Sequence, residues 1–580
     1  MTGSPNIKMP GTDFILRSLV ADEIDHLFLV PGGLVDPFMP ALGRVTDITP
    51  IVAAQEGGAA YMADGYARAS GKYGACLCIG GPGITNTVTA ISAALTDESP
   101  VLLLSGEVAN YMQGLGLFQD ASAGTYNDSL ILAPITASSY SIPDIRLLPH
   151  RLRGAVKRML DGRRIPVHLS IPSDLQTGDV HVAPMSVAKD FYHSEPLDSE
   201  AAGQLWTILA DGAPAPRIAI LIGGGMISDD ASDDIVKAAE RFHIPVATTE
   251  HAKGIFPEDH PLSLGVFGYA GTQQSTEAIV GNPLDLLIIV GATLNVRDSL
   301  YWTAQLKPRL GILSVNLSTV HVGCHTENER FIGGHGGAFA RWLGDAADAD
   351  AKPLTDTIPA RQEWASAIRK GPRYYDAENM TSDQVPIHPA RLVSDTRKVM
   401  PRDTTAIVDS GAHRAFGVHY WESYGPRKFL TAAALGPMGW GIPAGIGAKA
   451  AQPNSPVVVF TGDGCMQMHG MEVQTAARFG LPVIYVVSNN QALGNVYLRM
   501  KKQGAVAMAL NEIVDHDWAS FARALGAEGE TVREAKDLVP ALEKALAANK
   551  TFVIDVKTDR DATTPVEPYS EGKATWSYHE

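Results

Sequence analysis

The feature that most constrains this chain is a series of short, unbroken apolar runs that end in glycine or a polar residue. They read "HLFLVPGG" (26–33), "GACLCIGG" (74–81), "PVLLLSGE" (100–107), "PVHLSIP" (166–172), "RIAILIGGG" (217–225), "LDLLIIVGA" (284–292), "TAIVDSG" (405–411), "PVVVFTGDG" (456–464), "LPVIYVVSNN" (481–490) and "TFVIDVKT" (551–558). Continuous Val/Ile/Leu runs, unlike alternating ones, suit strands buried on both faces, as in parallel sheets covered by helices. Helix-like stretches separate them, so the expected class is α/β with doubly wound parallel sheets. At 580 residues the chain is too long for one core. Two stretches without strand signal, 183–200 and 345–364, read as linkers. They predict three domains: 1–190, 191–355 and 356–580.

The first and third parts share a layout. A Gly/Ala-rich helix (57–70) leads to a strand (74–79), "GGPG" (80–83), a helix, and a strand opening at Pro100. Likewise "GIPAGIGAKAAQ" (441–452) leads to a strand (456–460), "GDG" (462–464), a helix, and a strand opening at Pro482. Two such domains facing each other across a ligand are the expectation. The net charge of −16 argues against nucleic acid or an anionic membrane as partner. Cys76, Cys78, Cys324 and Cys465 form neither a disulfide framework nor a zinc pattern; Cys76 and Cys78 are expected on one side of a strand as small buried hydrophobes. No apolar run approaches the ~18 residues of a membrane span. The first residues lack a secretory pattern, so a cytoplasmic location is expected.

The segment "TGDGCMQMHGMEVQTAARFGLPVIYVVSNN" carries the most specific signal. Ligands of open α/β sheets bind outside the carboxyl ends of strands, so Asp463 and Asn490 are placed to converge. A carboxylate, an amide oxygen and a backbone carbonyl suit Mg²⁺ when phosphate oxygens complete the shell. Gly462 and Gly464 allow a phosphate close to the backbone, and a helix starting near 470 is expected to offer N–H groups.

GDG followed at this interval by NN resembles the diphosphate signature of thiamine-diphosphate-dependent enzymes. "VPGG", "QEGGAAYMADGYARASGK", "GGPGITNTVTAI", "LFQD", "PVHLSIPSDLQ", "LGVFGYAGT" and "LGPMGWGIPAGIGA" extend the resemblance to their acetolactate synthase (acetohydroxyacid synthase) branch. The resemblance implies Mg²⁺ on Asp463, Asn490 and the carbonyl of Ala492. It implies diphosphate on the backbone around Gly411, Ala412, His413, Gly464 and Cys465. Met438 matches the apolar wedge that bends the cofactor, and Gly436 offers a carbonyl to its pyrimidine amine.

The same resemblance makes Glu56 the carboxyl group that bonds the pyrimidine nitrogen and tunes it. Burial raises a carboxyl pKa, so a desolvated Glu56 is expected, with Gly57, Gly58, Ala59 and Ala60 giving clearance for the ring. Gly33, Phe118 and Gln119 fall near the reacting centre of the resembled enzymes. Because Glu56 and Asp463 lie in different domains, the family implies sites between subunits of a homodimer or dimer of dimers.

The implied reaction is decarboxylation of a 2-oxo acid such as pyruvate, followed by addition to a second carbonyl. A decarboxylase or C–C lyase is the alternative. Two departures bear on substrate: Ala137 stands where the family has Lys, and Arg499 where it has a substrate-selecting Trp. A guanidinium suits an anionic acceptor; Arg499, Lys501 and Lys502 also suit a solvated cluster. In the central domain Arg297 matches one FAD-contacting arginine, but Thr293 replaces the other, and the balance falls against bound FAD. The tail "TTPVEPYSEGKATWSYHE" (563–580) reads as a lid or a free end.

Overall fold

A computed structural model describes residues 8–566 except 190–195, 211–213, 215, 230, 282, 302, 304, 320–327 and 502. Cys324, Lys502 and all but the first four residues of the expected lid lie outside the described residues.

Three six-stranded parallel sheets account for the architecture. The first runs Thr49–Val52, His26–Leu29, Gly74–Ile79, Val101–Glu107, Val167–Pro172, Ser139–Ser141 across the sheet. The third runs Phe429–Leu430, Thr405–Val408, Val457–Gly462, Val483–Asn489, Phe552–Lys557, Glu528–Val532. Numbered within each domain, both have the order 2-1-3-4-6-5, so the shared layout extends to whole topologies. The central sheet runs Ser263–Val266, Val246–Thr248, Ile218–Ile222, Leu286–Val290, Ile312–Asn316, Glu329–Gly333. Its 3-2-1-4-5-6 order is that of dinucleotide-binding folds.

Every quoted apolar run contains a strand. Cys76 and Cys78 are fully buried on Gly74–Ile79, as expected. The 345–364 stretch is not a bare linker. It contains Asp348–Thr355 and the start of Ile358–Lys370, both helical. Arg361 is fully buried and donates to the carbonyls of Phe242 (2.9 Å) and Leu354 (2.7 Å), docking the second helix on the central domain. Its Asp, Ala and Pro content conceals the helices, because Pro359 sits in the first turn, where no N–H is needed.

The Gly/Ala helix Glu56–Ser70 packs against Gly441–Ala451 of the third domain, backbone to backbone. A Cβ on Gly65 would lie 2.2 Å from the Ala444 carbonyl oxygen, and one on Gly447 1.9 Å from that of Met62. The small residues therefore serve this seam. The expected role as clearance for a ligand ring is corrected here: Gly58 is filled by Glu472, whose Oε1 lies 1.9 Å from a Cβ built there. Gly447→Ala is expected to destabilise by about 1–3 kcal/mol through overpacking, read as a lowered thermal midpoint, with Ala448→Gly on the same helix as control.

A charged cluster ties the three domains together beside the seam. Arg68 donates to Asp64 (2.7 Å) and Asp97 (3.0 Å), and Trp440 Nε1 donates to Asp64 (2.8 Å). Asp97 also bonds His251 of the central domain (3.1 Å) and the Ala434 N–H (2.9 Å). Burial opposes the imidazolium of His251, but Asp97 outweighs it and raises its pKa from 6.5 to about 9. A raised value stabilises the fold below pH 6.5 and loses that contribution as pH rises through about 9. Thermal midpoints measured from pH 6 to 10 are expected to fall across this window in the wild type and to fall less in His251→Asn.

Candidate active site

Chemically capable groups converge at the carboxyl ends of Thr405–Val408, Val457–Gly462 and Val483–Asn489. The first two are neighbours where the strand order reverses, the usual ligand crevice of such sheets. A cleft of about 450 Å³ opens there. Gly411, Ala412, His413, Gly436, Met438, Gly462, Asp463, Gly464, Cys465, Asn490, Ala492, Arg297 and Arg499 all line it.

Gly462 ends its strand as the N-cap of a helix that starts at once, Asp463–His469. The helix was expected near 470; the strand turns into it seven residues earlier, and a second helix, Glu472–Arg478, follows. Asp463 is buried, and its Oδ1 accepts the Gly464 N–H at 2.9 Å. Its Oδ2 is buried without a partner. Burial pushes its pKa up to about 6 against the backbone N–H groups of Gly464, Gln491 and Ala492, as for a carboxylate lacking a countercharge. Asn490 Oδ1 accepts the Ala492 N–H at 3.1 Å, which ties the amide to the carbonyl-bearing segment. Among the described residues no group of three or more His, Cys, Asp or Glu could hold a metal. A set of one carboxylate, one amide and one carbonyl, with an orphaned carboxylate oxygen, fits Mg²⁺ completed by phosphate oxygens.

The surroundings fit a diphosphate. A Cβ on Gly462 would lie 3.0 Å from the His413 ring, and one on Gly464 2.9 Å from the Met438 methyl. His413 Nε2 is buried and unpartnered. Burial, helped by Arg414, lowers the His413 pKa to about 3, so the ring is neutral. Gly436 and Gly439 bracket Met438 with φ of +66° and +84°, a doubled left-handed turn that suits glycine.

Asp409, which the sequence reading did not single out, holds this turn. It accepts N–H bonds from Ser410 (2.7 Å) and Gly439 (3.0 Å) and the Thr461 hydroxyl (3.1 Å). The strand-end position in "TAIVDSG" was the available signal. Arg414 and Tyr269 were also missed. Tyr269 lies between the guanidiniums of Arg297 (4.7 Å) and Arg414 (5.0 Å), a contact no sequence spacing announces.

Glu56, Gly33, Phe118 and Gln119 do not line this cleft. They lie at the carboxyl end of the first sheet. Glu56 opens its helix half-buried, accepting from Asn86 Nδ2 at 2.9 Å. The expected desolvated carboxyl is therefore not formed within one chain. Its approach is set by Glu472 of the third domain, which accepts the Ala54 N–H at 3.1 Å. Phe118 is 85% exposed, Gln119 has φ +60°, and a Cβ on Gly33 would meet open space.

Family models match all three domains. They are the thiamine pyrophosphate enzyme N-terminal TPP binding domain (residues 9–126), central domain (213–341) and C-terminal TPP binding domain (409–556). A probable acetolactate synthase large subunit of Methanocaldococcus jannaschii is 31% identical, over 97% of this chain and 94% of that protein. The chain is a thiamine pyrophosphate enzyme of the acetolactate synthase-like branch. The acetolactate synthase isozyme 1 large subunit of Escherichia coli is 30% identical over 97% of this chain and 96% of its own. The Corynebacterium glutamicum large subunit is 29% identical over 96% and 88%. Within this thiamine pyrophosphate enzyme no described helix is long and apolar enough to cross a membrane. Titration of thiamine diphosphate with Mg²⁺ into Asp463→Asn is expected to show affinity weakened about 100-fold or more, the effect that removing a direct metal ligand would have.

Proposed function

We propose that this enzyme is a Mg²⁺-dependent carboligase that decarboxylates a 2-oxo acid such as pyruvate and joins the remaining unit to a second carbonyl. The orphaned, buried Oδ2 of Asp463 beside Asn490, in a chain similar end to end to acetolactate synthases, carries this reading. Bound thiamine diphosphate supplies a nucleophilic carbon that breaks and makes bonds beside a carbonyl. Asp463, Asn490 and the Ala492 carbonyl hold the metal. The Gly411–His413 backbone, Gly464 and Cys465 hold the diphosphate, and His413 Nε2, neutral, donates to it or accepts a water. Met438 would pack against the bound cofactor, the Gly436 carbonyl would accept from its amine, and Glu56 would hold a proton toward its pyrimidine.

The site is proposed to form between two copies of the chain, as a homodimer or dimer of dimers. In support, the Glu56 group and the Asp463 cleft are separate in one chain. Exposed apolar side chains flank both: Tyr111, Leu115 and Phe118 on one, Val506, Leu510 and Val514 on the other. The boundaries 1–190, 191–355 and 356–580 remain the proposed division, as does a cytoplasmic location.

Arg499 lines the cleft with no hydrogen-bond or ion-pair partner among the described residues, whereas Lys501 is held by Asp561 (2.7 Å). Arg499 is proposed to face an anionic acceptor. The crevice of the central sheet, lined by Gly224, Gly291, Thr293, Asn316 and Gly336, encloses about 260 Å³. Sites for drug-sized ligands run to roughly 300–1,000 Å³, and FAD is larger than most of these. Arg297 lies on the cofactor cleft instead of this crevice. These residues do not fit an entire FAD, and no step is assigned to one.

Glu56→Gln is expected to lower kcat with pyruvate by about 10²–10⁴-fold, the range for a lost proton-handling group. Mixed one to one with Asp463→Asn after reversible dissociation, it is expected to restore about a quarter of wild-type activity, the statistical yield of one intact site per mixed dimer. No recovery would argue for sites within single chains. Acetolactate or a related ligation product supports the carboligase; acetaldehyde alone supports a decarboxylase.

A further inference from the structure

Two buried carboxyl groups lie behind the face that carries Phe118 and Gln119, and neither has an assigned role. Glu107 ends the strand Val101–Glu107, and Asp128 opens the short helix Asp128–Leu132; each is 2% exposed. Both sit beside the Gly80–Gly81 turn. A Cβ on Gly80 would lie 3.3 Å from Asp128 Oδ2 and 3.6 Å from Glu107 Oε2. Asp128 Oδ2 accepts the Gly81 N–H at 2.8 Å, whereas its Oδ1 is buried with no partner.

Both residues also grip the same point of the intervening loop. Glu107 Oε1 accepts the Ala121 N–H at 3.3 Å, and the Asp128 N–H donates to the Ala121 carbonyl at 3.0 Å. Ala121 stands two residues after Gln119, whose left-handed φ of +60° is unusual for a side chain of that kind. Asp120 completes the clamp by accepting the Gly114 N–H at 2.7 Å. The loop so held exposes Tyr111, Leu115, Phe118 and Tyr126. Its shape is therefore set by a few buried polar contacts more than by a core of its own.

We propose that the neighbouring carboxyl groups of Glu107 and Asp128 together keep one proton, and that in this state they hold the 108–127 loop so that Phe118 and Gln119 are presented to the reacting centre. Loss of that proton to water leaves two buried like charges facing each other, which loosens the loop. Glu107 and Asp128 are thus positioning residues acting through Ala121. The groups that face the pair are Asp120 and Tyr126 from the loop and Cys78 from the adjacent strand. Burial raises Asp128 to about 7 against the Gly81 N–H, with Glu107 adding to the rise; burial raises Glu107 also. Raised values mean that the native loop keeps its proton below about pH 7 and loses it above.

That the loop serves the reacting centre rests on the function proposed above; that the pair controls the loop does not. Hydrogen exchange of the full-length protein, corrected for intrinsic rates, tests the second point at pH 6 and 8.5. The 108–127 segment is expected to exchange about ten-fold faster at the higher pH through local opening. Asp128→Asn, which keeps the shape without the charge, is expected to abolish the difference. Glu107→Gln removes the like charge and is expected to move the transition to lower pH, which serves if Asp128→Asn does not fold. Equal protection at both pH values, or a transition unmoved in the folded variant, would overturn the pairing. In parallel, kcat/KM for pyruvate is expected to fall above pH 7 in the wild type and to stay level in Asp128→Asn. Pyruvate turnover that is absent throughout would reject the proposed reaction and leave the exchange result standing.

Discussion

The close backbone contact between Glu56–Ser70 and Gly441–Ala451 is the constraint on which the remaining structure depends. Two helices approach this closely only where no Cβ stands between them, and Gly65 and Gly447 supply that gap at carbonyls of the opposite helix. Contact at such range brings many atom pairs into dispersion distance and excludes water along the seam. It also fixes the first domain against the third with little freedom to slide, because backbone, unlike a side chain, cannot move aside.

That fixed relation decides how the proposed site groups are distributed. The seam joins the two Gly/Ala helices, while Asp463 and Asn490 face a cleft at the ends of the third sheet. Glu56 begins the very helix that forms the seam, yet its carboxyl group lies outside that cleft. Glu472 links the two roles: it fills the space over Gly58 and accepts the N–H of Ala54, just before Glu56. The Arg68–Asp97–His251 cluster extends the clamp to the central domain, so all three sheets bear on one charged junction.

Much of the architecture was legible because the central strands of parallel sheets are apolar on both faces. The runs at 74–81, 100–107, 456–464 and 481–490 could hardly be anything else. The strands outside those runs were Thr49–Val52, Ser139–Ser141, Phe429–Leu430 and Glu528–Val532, which form both edges of the first and third sheets, and four of the central sheet: its edges Ser263–Val266 and Glu329–Gly333 and the interior Val246–Thr248 and Ile312–Asn316. An edge strand pairs on one side only, is often short, and carries polar residues such as Thr49, Ser139 and Glu528, so it lacks the continuous apolar signature. Asp463 and Asn490 were readable because each directly follows a legible strand or ends one. Asp409 went unnoticed although its position is equivalent, since its work is to hold the Gly439 turn, a partner distant in sequence.

The sequence by itself determined the fold class and the cofactor family, and singled out the segment that carries Asp463 and Asn490. The fold class follows from the apolar runs, and the cofactor family from the resemblance that the GDG and NN motifs, each at the end of a legible strand, bear to thiamine-diphosphate-dependent enzymes. Only the tertiary structure decided that the Gly/Ala helix is a domain seam, that Arg297 joins Arg414 around Tyr269, and that Glu107 and Asp128 close on one carbonyl–amide pair at Ala121. Each of those depends on groups that the fold brings together from distant parts of the chain or across a turn. Small residues announce that something comes close; only the assembled chain establishes what it is.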